Sequence, residues 1–146
     1  MDIGQIFLVL FFGIFAFSAF VLGFRECRRN NPGGLTPVYN IIGAFVWADT
    51  VVFGLFWTIV SFVSIMFHSI LLFFTALSIF WLVRSVGETV YWLNEQFAAT
   101  KRNKPETLWH SRIFPGTSSY IASQIFWQCM TVIFSITTIY LLKEIL

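Results

Sequence analysis

The sequence predicts an all-α integral membrane protein, a bundle of four transmembrane helices with a cytoplasmic amphipathic extension after the third helix. Of its 146 residues, 58% are hydrophobic and only 11% are charged, whereas about a quarter of the residues of a soluble protein are charged. Four apolar runs of about 20 residues would take up most of the chain. We therefore predict a single transmembrane domain, residues 1–146.

The first apolar run extends over about residues 3–24, long enough to cross a bilayer at about 1.5 Å per residue. Asp2 precedes it, and Arg25, Arg28 and Arg29 follow it. A cleaved signal peptide would have the opposite order, with positive residues before a shorter apolar core. This pattern predicts an uncleaved first helix with its N-terminus outside the cytoplasm.

Residues 38–83 are apolar almost throughout, yet a single helix of this length would reach roughly 70 Å, far more than one bilayer. Basic residues beside membrane spans tend to stay in the cytoplasm. If the stretch crosses twice, eight of the nine Lys and Arg residues, all but Lys143, share one side. The basic loops are then cytoplasmic.

This argument predicts a hairpin, with helix two over about 38–57 and helix three over about 61–83. An outer turn would lie near residues 58–61, although no Gly or Pro marks it. From about 84–99 the apolar residues recur every three or four positions, which indicates an amphipathic helix that continues helix three or lies along the lipid headgroups.

The last apolar run predicts helix four over about 119–142 and returns the C-terminus to the non-cytoplasmic side. Its polar side chains recur at intervals of four, three, four and three, which places them on one face of a helix. They are Gln124, Gln128, Thr131, Ser135 and Thr138. Because polar groups are costly against lipid, this face should point into the protein or toward another protomer. It is either a hydrogen-bonded packing seam or a polar pathway.

Asp49 would lie about eleven residues into the predicted helix two, close to the bilayer midplane. An intramembrane carboxylate is by default a candidate functional residue, although a protonated structural acid hydrogen-bonded near Gln128 is an equal alternative. His68 would lie about one helical turn from the height of Asp49. A shared proton and a packing role for His68 both stay open.

The basic residues beside the spans are expected to contact anionic lipid headgroups, or a partner, rather than nucleic acid. We expect this of Arg28, Arg29, Lys101, Arg102 and Lys104. With only two histidines and two cysteines, the sequence gives no support for a haem or zinc site, and we predict neither metal nor cofactor. We also find no nucleophile elbow, phosphate loop or other catalytic motif.

Small residues on the first two predicted helices would permit close helix contact. They are Gly13, Ala16, Ala19 and Gly23 on helix one, and Ala44 and Ala48 on helix two.

Three functions follow from these features. The first is a noncatalytic membrane subunit or homo-oligomer, whose partners are lipids and copies of itself or a larger membrane complex. The second is a small ion- or proton-coupled transporter or channel that uses Asp49. The third is a four-helix membrane enzyme.

Overall fold

The computed structural model describes residues 1–108 and 110–145, and over these ranges the chain is helical and contains no β-strand. Four helices are long and apolar enough to cross a membrane. They are α1 (Ile3–Arg28), α2 (Trp47–Met66), α3 (Ile70–Phe97) and α4 (Ser118–Ile145). This confirms the predicted class, an all-helical protein with four helices of transmembrane length. The chain divides into two compact units, Met1–Ala76 and Leu77–Leu146.

In the first unit, α1 begins where Asp2 and Gln5 cap it reciprocally. The Asp2 carboxylate accepts a hydrogen bond from the Gln5 backbone N–H at 2.7 Å, and the Gln5 side chain accepts one from the Asp2 N–H at 3.1 Å. This capping box satisfies backbone donors that have no partner inside the helix. The acid before the first apolar run therefore fixes the start of α1.

The predicted position of helix two is wrong by nine residues at each end. We expected about 38–57, and the structure has α2 at Trp47–Met66. Residues 35–46 instead form a loop closed by a bridge between Leu35 and Val46. Within it the 3₁₀ helix Pro37–Ile42 ends at Gly43, whose φ of 79° is left-handed. Pro and Gly thus interrupt an apolar run that otherwise resembles a membrane span.

One face of the loop packs back along α1 and α2, whereas Leu35, Val38 and Ile41 are exposed. The ring of Tyr39 lies 5.2 Å from that of Phe15 in α1, and the carbonyl of Ile42 accepts a hydrogen bond from the Trp57 indole at 3.2 Å. Ile42 and Ala44 are fully buried. The buried apolar residues of this segment therefore contact protein within a loop rather than lipid around a transmembrane helix.

Small residues bring α1 and α2 together, as the sequence predicted for α1. Gly13, Ala16, Ala19 and Gly23 are all buried. Ala44 lies in the loop and Ala48 is exposed, so the predicted partners on helix two are corrected. The buried residues of α2 recur every three or four positions and are Thr50, Gly54, Trp57, Ser61 and Ser64. The face of α2 that meets α1 is therefore the one with Gly54 and Ser61, and not the predicted face with Ala48.

The turn between α2 and α3 lies at residues 67–69, not near 58–61. His68 occupies it with a left-handed φ of 48°, and the N-terminal ammonium donates to the His68 carbonyl at 3.0 Å. The chain's N-terminus and this turn therefore lie at the same end of the α1–α2 pair. The helix α3 then continues unbroken to Phe97, so the amphipathic stretch is part of helix three.

Gly54→Ala should destabilise the protein, because a Cβ there would lie 2.6 Å from the Phe20 backbone nitrogen and 2.7 Å from the Ala16 carbonyl. Backbone atoms cannot move aside as a flexible side chain can, so we expect a loss of about 1–3 kcal/mol, measured by unfolding in detergent. Gly87→Ala is the matched control, since nothing lies within 4 Å of its Cβ position. Equal effects of the two substitutions would contradict the close α1–α2 contact.

Candidate functional site

In the second unit, polar side chains of α3 and α4 pair directly across the helix contact. Ser78 and Thr138 share a hydrogen bond of 2.8 Å, Thr131 donates to Ser85 at 3.1 Å, and Gln96 donates to Gln124 at 2.5 Å. We call these six residues the polar seam. The α4 members are spaced by seven residues, about two helical turns, which keeps them on one side of the helix.

An aromatic stack packs beside the polar seam. Trp81 of α3 lies nearly parallel to Trp127, with 6.5 Å between ring centroids, and to Phe134, with 6.2 Å. Flat rings of this kind bury a large area and fix how two helices pack against each other. The aromatic stack and the polar seam therefore both join α3 to α4.

The predicted stripe on helix four separates into three environments. Gln124, Thr131 and Thr138 belong to the polar seam, whereas the Ser135 hydroxyl donates to the Thr131 carbonyl of its own helix at 2.8 Å. Gln128 is exposed and makes no hydrogen bond within the described residues. We did not predict the α3 partners from the sequence. Ser78 and Ser85 also stand seven residues apart, a spacing that indicates a common helix face.

Asp49 does not lie deep within a helix, because α2 begins only two residues before it. It occupies the first turn, where its carboxylate accepts a hydrogen bond from the Phe45 N–H at 3.1 Å. A negative charge at a helix N-terminus is favourable. His68 follows the other end of α2, about 28 Å away along the helix axis. The expected proximity of these two side chains is therefore wrong.

A buried carboxylate closes the loop that follows α3. Glu95 is only 4% exposed, and it accepts hydrogen bonds from the backbone N–H groups of Arg102 at 2.6 Å and Asn103 at 2.9 Å. The Tyr120 hydroxyl of α4 donates to the Asn103 carbonyl at 2.5 Å. We call Glu95, Lys101, Arg102, Asn103 and Tyr120 the loop clasp. The sequence alone did not indicate this role for Glu95.

Lys101 contributes a positively charged side chain to the loop clasp. Its ammonium donates to the carbonyls of Glu95 at 2.5 Å and Gln96 at 2.7 Å, in the last turn of α3, where carbonyls have no partner inside the helix. The same ammonium lies 5.5 Å from the centre of the Tyr120 ring, within the range of a cation–π contact. Lys101 is thus engaged with protein in this structure.

Other basic residues assigned to headgroup contact differ in their surroundings. Arg29 pairs with Glu26 at 3.0 Å and is exposed, and Arg28, Arg102 and Lys104 are exposed as well. Exposed guanidinium and ammonium groups can reach lipid phosphates. Headgroup contact by these residues stays a prediction.

His110 and Ser123 form the pair that most resembles a base with a nucleophile. The His110 Nε2 lies 3.1 Å from the Ser123 hydroxyl and 2.9 Å from the Ser119 carbonyl. In the tautomer with the hydrogen on Nε2, this nitrogen donates to the Ser119 carbonyl, which only accepts, and cannot take a proton from Ser123. The Ser123 hydroxyl also donates to the Ser119 carbonyl at 3.0 Å. Both groups are buried and hold the loop against α4.

The described part of the chain contains no cluster of three or more His, Cys, Asp or Glu side chains that could hold a metal ion. Comparisons with protein-family models, with curated proteins and with solved structures found no match for this chain. The chemistry of the site must therefore be argued from its own geometry. That geometry consists of hydrogen bonds between helices and between a loop and a helix end.

The polar seam should show measurable coupling between its two helices. In a double-mutant cycle with Ser85→Ala and Thr131→Val, we expect a coupling free energy of about 0.6 kcal/mol, since hydrogen bonds between membrane helices average this value. Unfolding in mixed detergent would measure it. Thr137→Val is the matched control, because the exposed Thr137 donates only to its own helix. Zero coupling between Ser85 and Thr131 would argue against a seam.

The loop clasp should depend on the Glu95 carboxylate. Glu95→Ala leaves the part-buried N–H groups of Arg102 and Asn103 without their charged acceptor, and we expect a loss of about 1–3 kcal/mol in stability. Trypsin cleavage at the basic residues of the loop should also become faster. Glu106→Ala, at an exposed acid of the same loop, is the control. Similar cleavage rates for both variants would rule out the clasp.

Proposed function

We propose that this chain is a noncatalytic multi-pass membrane protein that acts as a structural subunit or homo-oligomer. The observation that carries the proposal is the polar seam, in which the polar side chains of two membrane-length helices satisfy one another. Groups that conduct an ion or bind a polar substrate must instead be presented to water or to that ligand. Pairing of this kind is what a packing role requires.

The position of Asp49 also weakens the transport alternative, which depended on a carboxylate near the bilayer midplane. In the first turn of α2, Asp49 supports the helix start through its bond to the Phe45 N–H and through its charge. No observation replaces it as a midplane ion site. In the described residues the enzyme alternative has no catalytic motif to support it, and the His110–Ser123 contact ties the loop to α4.

The same proposal includes the orientation of the chain in the membrane. We place both termini on the non-cytoplasmic side and the basic loops in the cytoplasm, with the charged end of α3 extending there. The distribution of Lys and Arg supports this arrangement. The bond between the N-terminus and the α2–α3 turn at His68 supports only the part of this arrangement that puts these two points on one side, with two crossings between them. Lipid headgroups are then partners of Arg28, Arg102 and Lys104.

Transport assays on the purified protein in liposomes test the proposal directly. We expect no proton or cation flux above protein-free liposomes under a pH gradient or membrane potential. Asp49→Asn keeps an acceptor oxygen for the Phe45 N–H, so it should fold with nearly unchanged stability. Asp49→Ala removes the acceptor and should cost about 0.5–2 kcal/mol.

Wild-type flux that disappears in Asp49→Asn, while its melting temperature is kept, would overturn the structural reading in favour of a transporter. Flux that both Asp49 variants retain would also reject a purely structural protein, but it would place the pathway elsewhere.

A further inference from the structure

Gln128 is set apart from the other polar side chains of α4. In the described part of this helix, every other Ser, Thr and Gln side chain makes a hydrogen bond, either within α4, to the preceding loop or to α3. Gln128 makes none and is exposed. It lies about 5 Å from the middle of the helix Ser118–Ile145. A free amide at this depth has no water or headgroup to bond.

Helical geometry shows why Gln128 is left out of the polar seam. At about 100° per residue, it projects some 40° away from Gln124 and 60° away from Thr131, in the same direction around the axis. On its other side lies a stripe of β-branched residues, which we call the isoleucine stripe. The stripe consists of Ile121, Ile125, Val132 and Ile139, which are between 47% and 70% exposed. Gln128 therefore borders this stripe rather than the contact with α3.

We propose that Gln128 and the isoleucine stripe form the interface through which two copies of this chain associate in the membrane. The proposal rests on the structural role proposed above and names its partner as a second copy. Two copies inserted in the same orientation are related by a two-fold axis along the membrane normal. Each residue near that axis then meets its own counterpart at the same depth.

The chemistry of the amide favours a second copy over a charged partner group or lipid chains. A Gln side chain carries both donors and acceptors, so two Gln128 side chains across a two-fold axis satisfy each other reciprocally. A carboxylate or an ammonium would complement only half of the amide, and lipid chains complement neither half. β-Branched side chains suit the rest of the face because few rotamers are lost when they pack. A single polar residue in an apolar stripe also fixes the register of two helices.

The first experiment measures self-association of the full chain in liposomes. Donor- and acceptor-labelled copies are mixed, and energy transfer is followed as lipid is added to dilute the protein. We expect transfer to fall with dilution along a monomer–dimer curve. Gln128→Leu, which keeps the size but removes the amide, should weaken the dimer about tenfold, since interhelical hydrogen bonds in model peptides contribute roughly this factor.

Two variants control this measurement. Thr137→Val, on the far side of α4, should leave the dimer unchanged, and Gln128→Asn should restore part of the affinity lost in Gln128→Leu. Melting temperatures equal to wild type would show that Gln128→Leu acts on association and not on folding. Monomers at every dilution, or equal dimerisation of wild type and Gln128→Leu, would overturn the proposal.

The second experiment locates the interface by disulfide formation between identical positions. In a Cys27→Ser, Cys129→Ser background, single cysteines are placed along α4 and oxidised in liposomes. Cross-linking should peak at 125, 128 and 132 and be weak at 126, 133 and 137. A peak at the second set would place the contact on another face and refute this interface.

Flux measured on the same liposomes separates the two proposals. Flux in a protein that dimerises through Gln128 would remove the structural role and leave the interface intact. Absence of both flux and dimerisation would remove only the interface.

Discussion

A bilayer interior offers no hydrogen-bond partner to a polar group, so each such group must find one inside the protein. One contact in each unit shows how this constraint is met, whereas the buried hydroxyls of Ser61 and Ser64 have no hydrogen-bond partner in the described residues. Thr131 and Ser85 pair across α3 and α4, and the carbonyl of Ile42 is satisfied by the Trp57 indole. Polar residues within apolar helices are therefore best explained first by their partners, and only then by function.

Irregular backbone can meet the same constraint, and so pack beside the first two helices, when its own polar groups are hydrogen-bonded. The loop over residues 35–46 is closed by the Thr36 N–H, which donates to the Phe45 carbonyl at 3.0 Å, and by the Thr36 hydroxyl, which donates to the Ala44 carbonyl at 3.0 Å. With these groups paired and Ile42 fully buried, the loop tolerates an apolar setting. Small residues on α1 and α2 let these two helices approach each other closely beside the loop.

Seen this way, Gln128 stands out because it departs from the pattern of its own helix. Its neighbours Gln124 and Thr131 reach α3, while Gln128 turns toward the exposed Ile125 and Val132. Association of two copies would give the Gln128 amide a hydrogen-bond partner, as the other polar side chains of α4 already have. The proposed subunit role and the proposed interface thus depend on one physical rule, although they are tested by separate measurements.

The sequence alone determined the class, the number of apolar helices and the small face of α1 with Gly13 and Gly23, because composition and helical spacing are local properties. It also placed Gln124 and Thr131 correctly on a common face. Only the tertiary structure decided where α2 begins, since an apolar loop buried against protein has the same composition as a span in lipid. It likewise decided the roles of Asp49 and Glu95, because a carboxylate's partners depend on backbone N–H groups that the chain positions only when folded.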